Sequence, residues 1–180
     1  MKHQNQFIIV KSLGYNLWKG NNQLSKVEGY GNFEIQEFKN LHDKVKKINK
    51  NKYYEINWDN IFLGEAINNI ERNPVKYLKL FFKKLFSFYF IDSESTYPNY
   101  YNFFHIFPII IISLLSFPSL IIFFRNNKFE NKYLGLYFFF NLVIFSVFFI
   151  LPRYKLVILP VQIILVGYTL TYLIKKIGKS

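Results

Sequence analysis

Cysteine is absent from this chain, which excludes disulfides and thiolate metal sites. Histidine is scarce: His3, His42 and His105 stand alone, and no spacing among them suits a metal. Acidic residues are outnumbered, 11 against 23 lysines and arginines, for a formal net charge of +12. The few carboxylates form no pair whose spacing demands acid–base chemistry. Glu34 and Glu37 suit one helical face, Asp92 and Glu94 precede a greasy run, and solvation accounts for all four. A glycine-rich phosphate loop and a Ser/His/Asp arrangement are missing as well. The positive excess asks for an acidic partner, either nucleic acid or anionic lipid. The lysines are scattered among Asn, Ile, Phe and Tyr with no nucleic-acid motif, so nucleic acid is set aside.

What the chain has in abundance is apolar and aromatic residues, 51% and 21%. They gather in three charge-free runs, 104–124, 134–151 and 156–174. At about 1.5 Å per residue the first covers roughly 31 Å, the thickness of a hydrocarbon core. Each run is long enough to read as a transmembrane helix. Pro108 and Pro118 are expected to bend the first, and Pro160 the third. Tyr97, Tyr100, Tyr101, Tyr133, Tyr137, Tyr168 and Tyr172 fall at the run ends, where an interfacial belt belongs. The loop after the first run carries Arg125, Lys128 and Lys132 against Glu130, and the tail carries Lys175, Lys176 and Lys179. Short-loop basic residues favour the cytoplasm. This places the tail, 175–180, inside the cell, with the N-terminal region and the Pro152–Lys155 turn outside.

Residues 1–103 hold no such run. Gly14, Gly20, Gly29 and Gly31 mark turns, and short strands are expected at Phe7–Val10 and Phe33–Ile35. Lys39 to Lys52 reads as a solvated linker or exposed helix. Asp59 is expected to cap a helix through Arg72, with Ile61, Ala66, Ile67 and Ile70 as its apolar stripe. Asn73-Pro74 then starts a second helix. On it Val75, Leu78, Phe82, Leu85 and Tyr89 share a face beside Lys76, Lys79 and Lys83, the pattern of a helix lying in the headgroup layer. The expected architecture is mainly α and integral to the membrane. It comprises an extracytoplasmic α+β region (1–58), amphipathic and interfacial helices (59–103) and a three-span domain (104–174).

The stretch "GYNLWKGNN", Gly14 to Asn22, resembles an extracytoplasmic loop of lipid-linked-sugar glycosyltransferases. These are GT-C-type membrane enzymes related to protein mannosyltransferases and aminoarabinose transferases. Gly14, Tyr15, Asn16, Leu17 and Trp18 match the first part of their pattern, and Gly20 and Asn21 the second. The order of later features is similar: an acidic, alanine-containing helix ("GEAINNIERNP"), a basic helix after Asn73-Pro74, membrane spans, then "LPRYKLVILP". There the arginine-tyrosine motif with following prolines sits near the end of such enzymes. One departure is "QLSKVEGY" after Asn22, where the family often has a proline and a small-residue glycine turn. The family's catalytic carboxylate, carried in an early external loop among many N-terminal spans, has no counterpart here.

The resemblance implies the C-terminal portion of a polyprenyl-phosphate-sugar glycosyltransferase in the cell (inner) membrane. Its expected partners are a polyprenyl-phosphate sugar, membrane lipid, and missing N-terminal transmembrane helices or a partner subunit. No residue is assigned catalysis, and no cofactor or metal is called for. Arg153, Tyr154 and Lys155 are expected at the donor lipid phosphate, Arg153 gripping its oxygens in bidentate fashion. Snorkelling at helix ends is the structural alternative for the two cations. Tyr15, Asn16, Trp18, Asn21 and Asn22 are expected to line a sugar or acceptor cleft; a purely structural loop, with Trp18 packed on the membrane-facing domain, is the alternative and slightly the stronger one. A non-enzymatic membrane scaffold or anchoring subunit stands as the alternative function.

Overall fold

The computed structural model describes residues 2–3, 6–7, 12–125 and 129–178. The fold is mainly helical. β1 (Lys2–His3) pairs antiparallel with β2 (Gln6–Phe7), with Lys2 opposite Phe7. The helices are α1 (Leu13–Gly20), α2 (Lys39–Lys46), α3 (Tyr54–Arg72), α4 (Pro74–Tyr89), α5 (Phe103–Arg125), α6 (Phe129–Val147) and α7 (Leu159–Ile177). Among the described residues two 3-10 turns, Gln36–Phe38 and Pro152–Val157, complete the order. The chain divides into an N-terminal unit, Met1–Phe81 with Val147–Phe149, and a C-terminal unit, Phe82–Ser146 with Ile150–Ser180.

The N-terminal unit is organised by aromatic packing rather than by strands. Phe33–Ile35, expected as a strand, is irregular backbone leading into the first 3-10 turn. Of Phe7–Val10, Phe7 lies in β2 and the rest lies outside the described residues. The lysine-rich stretch folds in part: α2 buries Leu41 and Val45, four residues apart on one face, and exposes Lys39, Asp43, Lys44 and Lys46. Trp18, Phe38, Leu41, Val45, Phe62 and Ala66 form the core, with Tyr15, Phe33 and Trp58 packed against it.

Helix α3 starts at Tyr54, so Asp59 lies within it and caps nothing local. Asn73 ends α3 and accepts the Lys76 N–H through Oδ1 at 3.2 Å, and Pro74 opens α4. Proline is suited to that first turn, where no N–H is needed.

Among the described residues of the C-terminal unit one helix is long and apolar enough to cross a membrane, through Phe103–Leu120 of α5. A shorter apolar helix runs over Lys132–Val147. The second apolar run outlasts its helix: α6 ends at Val147, and Leu151 is extended at φ −104 and ψ 149. Pro152 accounts for the extended Leu151, since the residue before a proline is pushed out of the helical region. Pro160 falls in the first turn of α7 and starts that helix instead of bending it. Lys128 and Lys179 lie outside the described residues.

Candidate functional site

Two places gather the residues singled out by sequence. The first is α1 in the N-terminal unit. An eight-residue helix is too short to persist by propensity, and Ser12 ahead of it makes no side-chain cap. The cap comes from 44 and 45 residues away. Asp59 accepts the Gly14 N–H through Oδ2 and the Tyr15 N–H through Oδ1, both at 2.9 Å. A carboxylate at a helix N-terminus meets the positive end of the helix dipole and forms charge-assisted bonds.

Both glycines of the motif are required by close approach. A Cβ on Gly14 would sit 2.1 Å from the Asp59 carbonyl oxygen. One on Gly20 would sit 1.6 Å from the Phe148 carbonyl oxygen. The end of α1 thus clasps Val147–Phe149: Asn21 Nδ2 donates to the Val147 carbonyl at 2.8 Å, and the Lys19 ammonium lies 4.3 Å from the Phe149 ring centre.

The stretch expected as a loop is therefore a helix and its corner. Trp18 is wholly enclosed, with the rings of Phe38 and Phe62 both 5.1 Å away. Asn22, also without exposed surface, donates to the Trp18 and Tyr30 carbonyls and accepts the Leu24 N–H. Asn21 is buried and Asn69 donates to its carbonyl. Tyr15 gives its hydroxyl to the Gly31 carbonyl at 2.9 Å, and Asn16 donates to the Ser12 hydroxyl. Of the five residues expected at a cleft, Tyr15 and Asn16 keep some exposed surface, and Trp18 presents no ring face to a sugar.

The second place is the Pro152–Val157 turn in the C-terminal unit. Arg153 is exposed, its guanidinium 5.6 Å from the Tyr154 ring centre. Tyr154 packs at 5.0 Å on Phe145, which also meets Phe88 of α4 at 5.2 Å. Lys155 turns inward: its Nζ is enclosed and has no hydrogen-bond partner among the described residues. Burial lowers its pKa to about 7. Lys84 on α4, with no exposed surface, is lowered to about 7 by the same cause.

A polar seam runs through the interior of this unit, which also encloses Phe88, Phe138, Ile158 and Leu165. Ser113 and Gln162 both donate to the Tyr89 carbonyl, at 2.8 and 3.1 Å. The Tyr89 hydroxyl bonds with Ser116, and Ser119 with Thr169. Thr169 also donates to the Leu115 carbonyl. Leu115 neighbours Leu114, whose carbonyl Pro118 cannot bond. Gln162 thus bonds between helices as its place in an apolar run suggests, while Asn141 donates to Tyr137 of its own helix. Sequence reading passed over Lys84 and the serines. Serines three residues apart at 113, 116 and 119 in an otherwise apolar run were the available signal.

Three carboxylates are committed elsewhere, while Glu34 and Glu37 are exposed. Asp59 caps α1, Glu94 pairs with Lys83 at 2.6 Å, and Asp92 is buried and accepts the Glu94 N–H. Among the described residues no three His, Asp or Glu come together as metal ligands. No family model, curated protein or solved structure matches this chain.

Proposed function

We propose that this chain is the portion of a GT-C-type membrane glycosyltransferase that receives the phosphate of a polyprenyl-phosphate sugar at the Pro152–Val157 turn. The observation that carries the reading is an exposed guanidinium, Arg153, followed two residues on by an enclosed ammonium, Lys155, that has no hydrogen-bond partner among the described residues. A buried cation without an acceptor is costly, and an arriving phosphate offsets that cost. The resemblance of "GYNLWKGNN" and "LPRYKLVILP" to such enzymes gives this cation pair its chemical context.

The bilayer setting is argued from inverted polarity. Serines, Gln162 and Thr169 are buried in the C-terminal unit, while Phe104, Leu136, Phe140, Ile163 and Ile174 are exposed. Such a distribution suits hydrocarbon outside and hydrogen bonds within. On this reading α5, α6 and α7 are three spans, the Arg153 turn faces outward, and the C-terminus faces the cytoplasm.

The reaction then divides as follows. A carboxylate takes the acceptor's proton as the acceptor oxygen attacks the anomeric carbon. The bond from that carbon to the phosphate oxygen breaks, and the lipid phosphate departs with the electron pair. Arg153 and Lys155 stabilise that charge. The carboxylate is assigned to membrane helices outside this segment, in the same chain or a partner. Trp18, Asn21 and Asn22 are assigned to the scaffold.

The test is equilibrium binding of a polyprenyl monophosphate, against the matching polyprenol, to the chain in lipid nanodiscs. The phosphate form is expected to bind at least tenfold more tightly, and Arg153→Ala to remove most of that preference with helicity retained. Equal binding of the two lipids, or an unaffected Arg153→Ala, overturns the proposal and favours an anchoring subunit without enzymatic activity.

A further inference from the structure

Helix α4 presents three distinct faces. Tyr77, Lys84 and Phe88, at i, i+7 and i+11, are buried. Val75, Leu78, Phe82 and Phe86, at i, i+3, i+7 and i+11, are exposed at 57–61%. Lys76, Lys79 and Lys83 each follow a member of this apolar stripe by one residue. They form a basic stripe rotated about 100° from it. The apolar stripe is therefore not the face by which α4 packs. Leu85 and Tyr89, which periodicity groups with it, turn inward: Leu85 is half-buried and Tyr89 is buried.

We propose that α4 lies along the surface of an anionic bilayer. The Val75–Phe86 stripe enters the acyl boundary, and Lys76, Lys79 and Lys83 reach the headgroups. Charge complementarity selects this occupant, since α4 has three outward lysines and no acidic residue. The segment that follows points the same way. Tyr97, Tyr101, Phe103 and Phe104 are exposed, Phe104 at 85%, immediately before and within the start of the membrane-length helix α5. Aromatic side chains at that position belong at a lipid interface. A helix with an apolar stripe bordered by lysines binds in the interfacial plane through both terms. Two lysines have protein contacts: Lys83 with Glu94 at 2.6 Å, and Lys76 with the Gln23 carbonyl at 3.0 Å. Both remain at the surface, and Lys79 is exposed. The inference does not depend on glycosyl transfer.

The chain has no cysteine, so single nitroxide labels can be placed cleanly. Val75→Cys, Leu78→Cys, Phe82→Cys and Phe86→Cys are each labelled in the full chain. They are reconstituted in phosphatidylcholine, or in equal parts phosphatidylcholine and phosphatidylglycerol. Accessibility to oxygen, which partitions into lipid, is compared with accessibility to a water-soluble nickel chelate. The oxygen-to-nickel ratio is expected to be several-fold higher at all four positions than at a label on Lys46→Cys, and to rise with phosphatidylglycerol. Replacing Lys76, Lys79 and Lys83 together by Gln is expected to abolish that rise while the helical circular dichroism holds. Nickel-accessible labels at Leu78 and Phe82 in both lipids overturn the proposal. So does a ratio indifferent to phosphatidylglycerol, and so does spin–spin broadening that shows a second copy on this face.

Discussion

Both units of this chain bury apolar side chains, and they differ in the polar groups enclosed with them: amides of Asn21, Asn22 and Asn69 in the first, and mostly hydroxyls in the second. In the N-terminal unit the interior is aromatic, built on Trp18, Phe38 and Phe62, and the surface carries Glu37, Lys39, Asp43, Lys44 and Lys46. In the C-terminal unit Ser113, Ser116, Ser119, Gln162 and Thr169 are inside along with Phe88, Phe138, Ile158 and Leu165, and many further large apolar side chains, Phe104, Leu136 and Ile174 among them, are outside. In the proposed bilayer setting one set of physical rules would produce both, each unit hiding what its surroundings reject. Water rejects hydrocarbon in the first case. In the second, lipid on the proposed reading, hydrocarbon would have no bond to offer a hydroxyl or amide, and these groups bond to each other and to backbone carbonyls.

The largest break in this comparison is expected at Trp18. Trp18→Ala removes a fully enclosed ring and is expected to cost about 3–5 kcal/mol. Loss of the N-terminal unit's cooperative unfolding, followed by the fluorescence of Trp58, reads it. Gly20→Ala comes next. Its new Cβ meets backbone at Phe148 rather than a side chain that can swing away, and a cost of about 1–3 kcal/mol or more is expected. The same measurement applies, and an unchanged midpoint would show that Val147–Phe149 shifts freely.

A smaller effect sharpens the electrostatic side. Asp59→Asn keeps the shape but loses the charge at the start of α1, for an expected loss of about 1–2 kcal/mol at neutral pH. Denaturant unfolding of the variant at low and high salt checks it, since a charge effect shrinks with screening.

How far the sequence foretold these features depends on how local their causes are. The break between α3 and α4 was legible because Asn73-Pro74 carries it entirely. The apolar run of α5 was legible for the same reason. Asp59 was misplaced because its partners, Gly14 and Tyr15, are remote in sequence and only the α1–α3 packing unites them. The end of α6 was hidden because the chain stays apolar through Leu151, and hydropathy does not register that the backbone has left the helix. Pro152 signalled only the extended Leu151 before it. The direction of α4 was half legible: the period gave the stripes, but which stripe meets protein depends on what packs against Tyr77, Lys84 and Phe88. Of the site, the Arg153–Lys155 cluster was legible as charge between apolar runs. That Lys155 turns inward while Arg153 stays out was not.

That inward lysine has a pH signature. Its folded pKa is lowered from 10.5 to about 7, so between those values the unfolded chain holds more protons. Stability is therefore expected to rise with pH across that window, and the penalty to be fully present below about pH 7. Lys84 contributes in the same direction. Lys155→Met is expected to stabilise the chain at pH 7 and to flatten, without abolishing, the slope. Thermal unfolding in detergent across the window measures both. A bound phosphate favours the protonated lysine, so polyprenyl-phosphate affinity is expected to fall as the pH rises above about 7.

The finest distinction lies in the seam. Gln162→Leu removes the donor to the Tyr89 carbonyl, but Ser113 still donates there. Hydrogen bonds between helices within a bilayer average only about 0.6 kcal/mol, because the separated helices find other partners. The Gln162 Oε1 atom is itself buried without a partner among the described residues, so leucine also removes an unmet acceptor. The two terms oppose, and a change within about 1 kcal/mol is expected. Steric-trap unfolding in bicelles can resolve that. A loss of several kcal/mol would mean that the amide organises α5 and α7 as Trp18 organises the aromatic core, and the contrast between the two interiors would be one of composition alone.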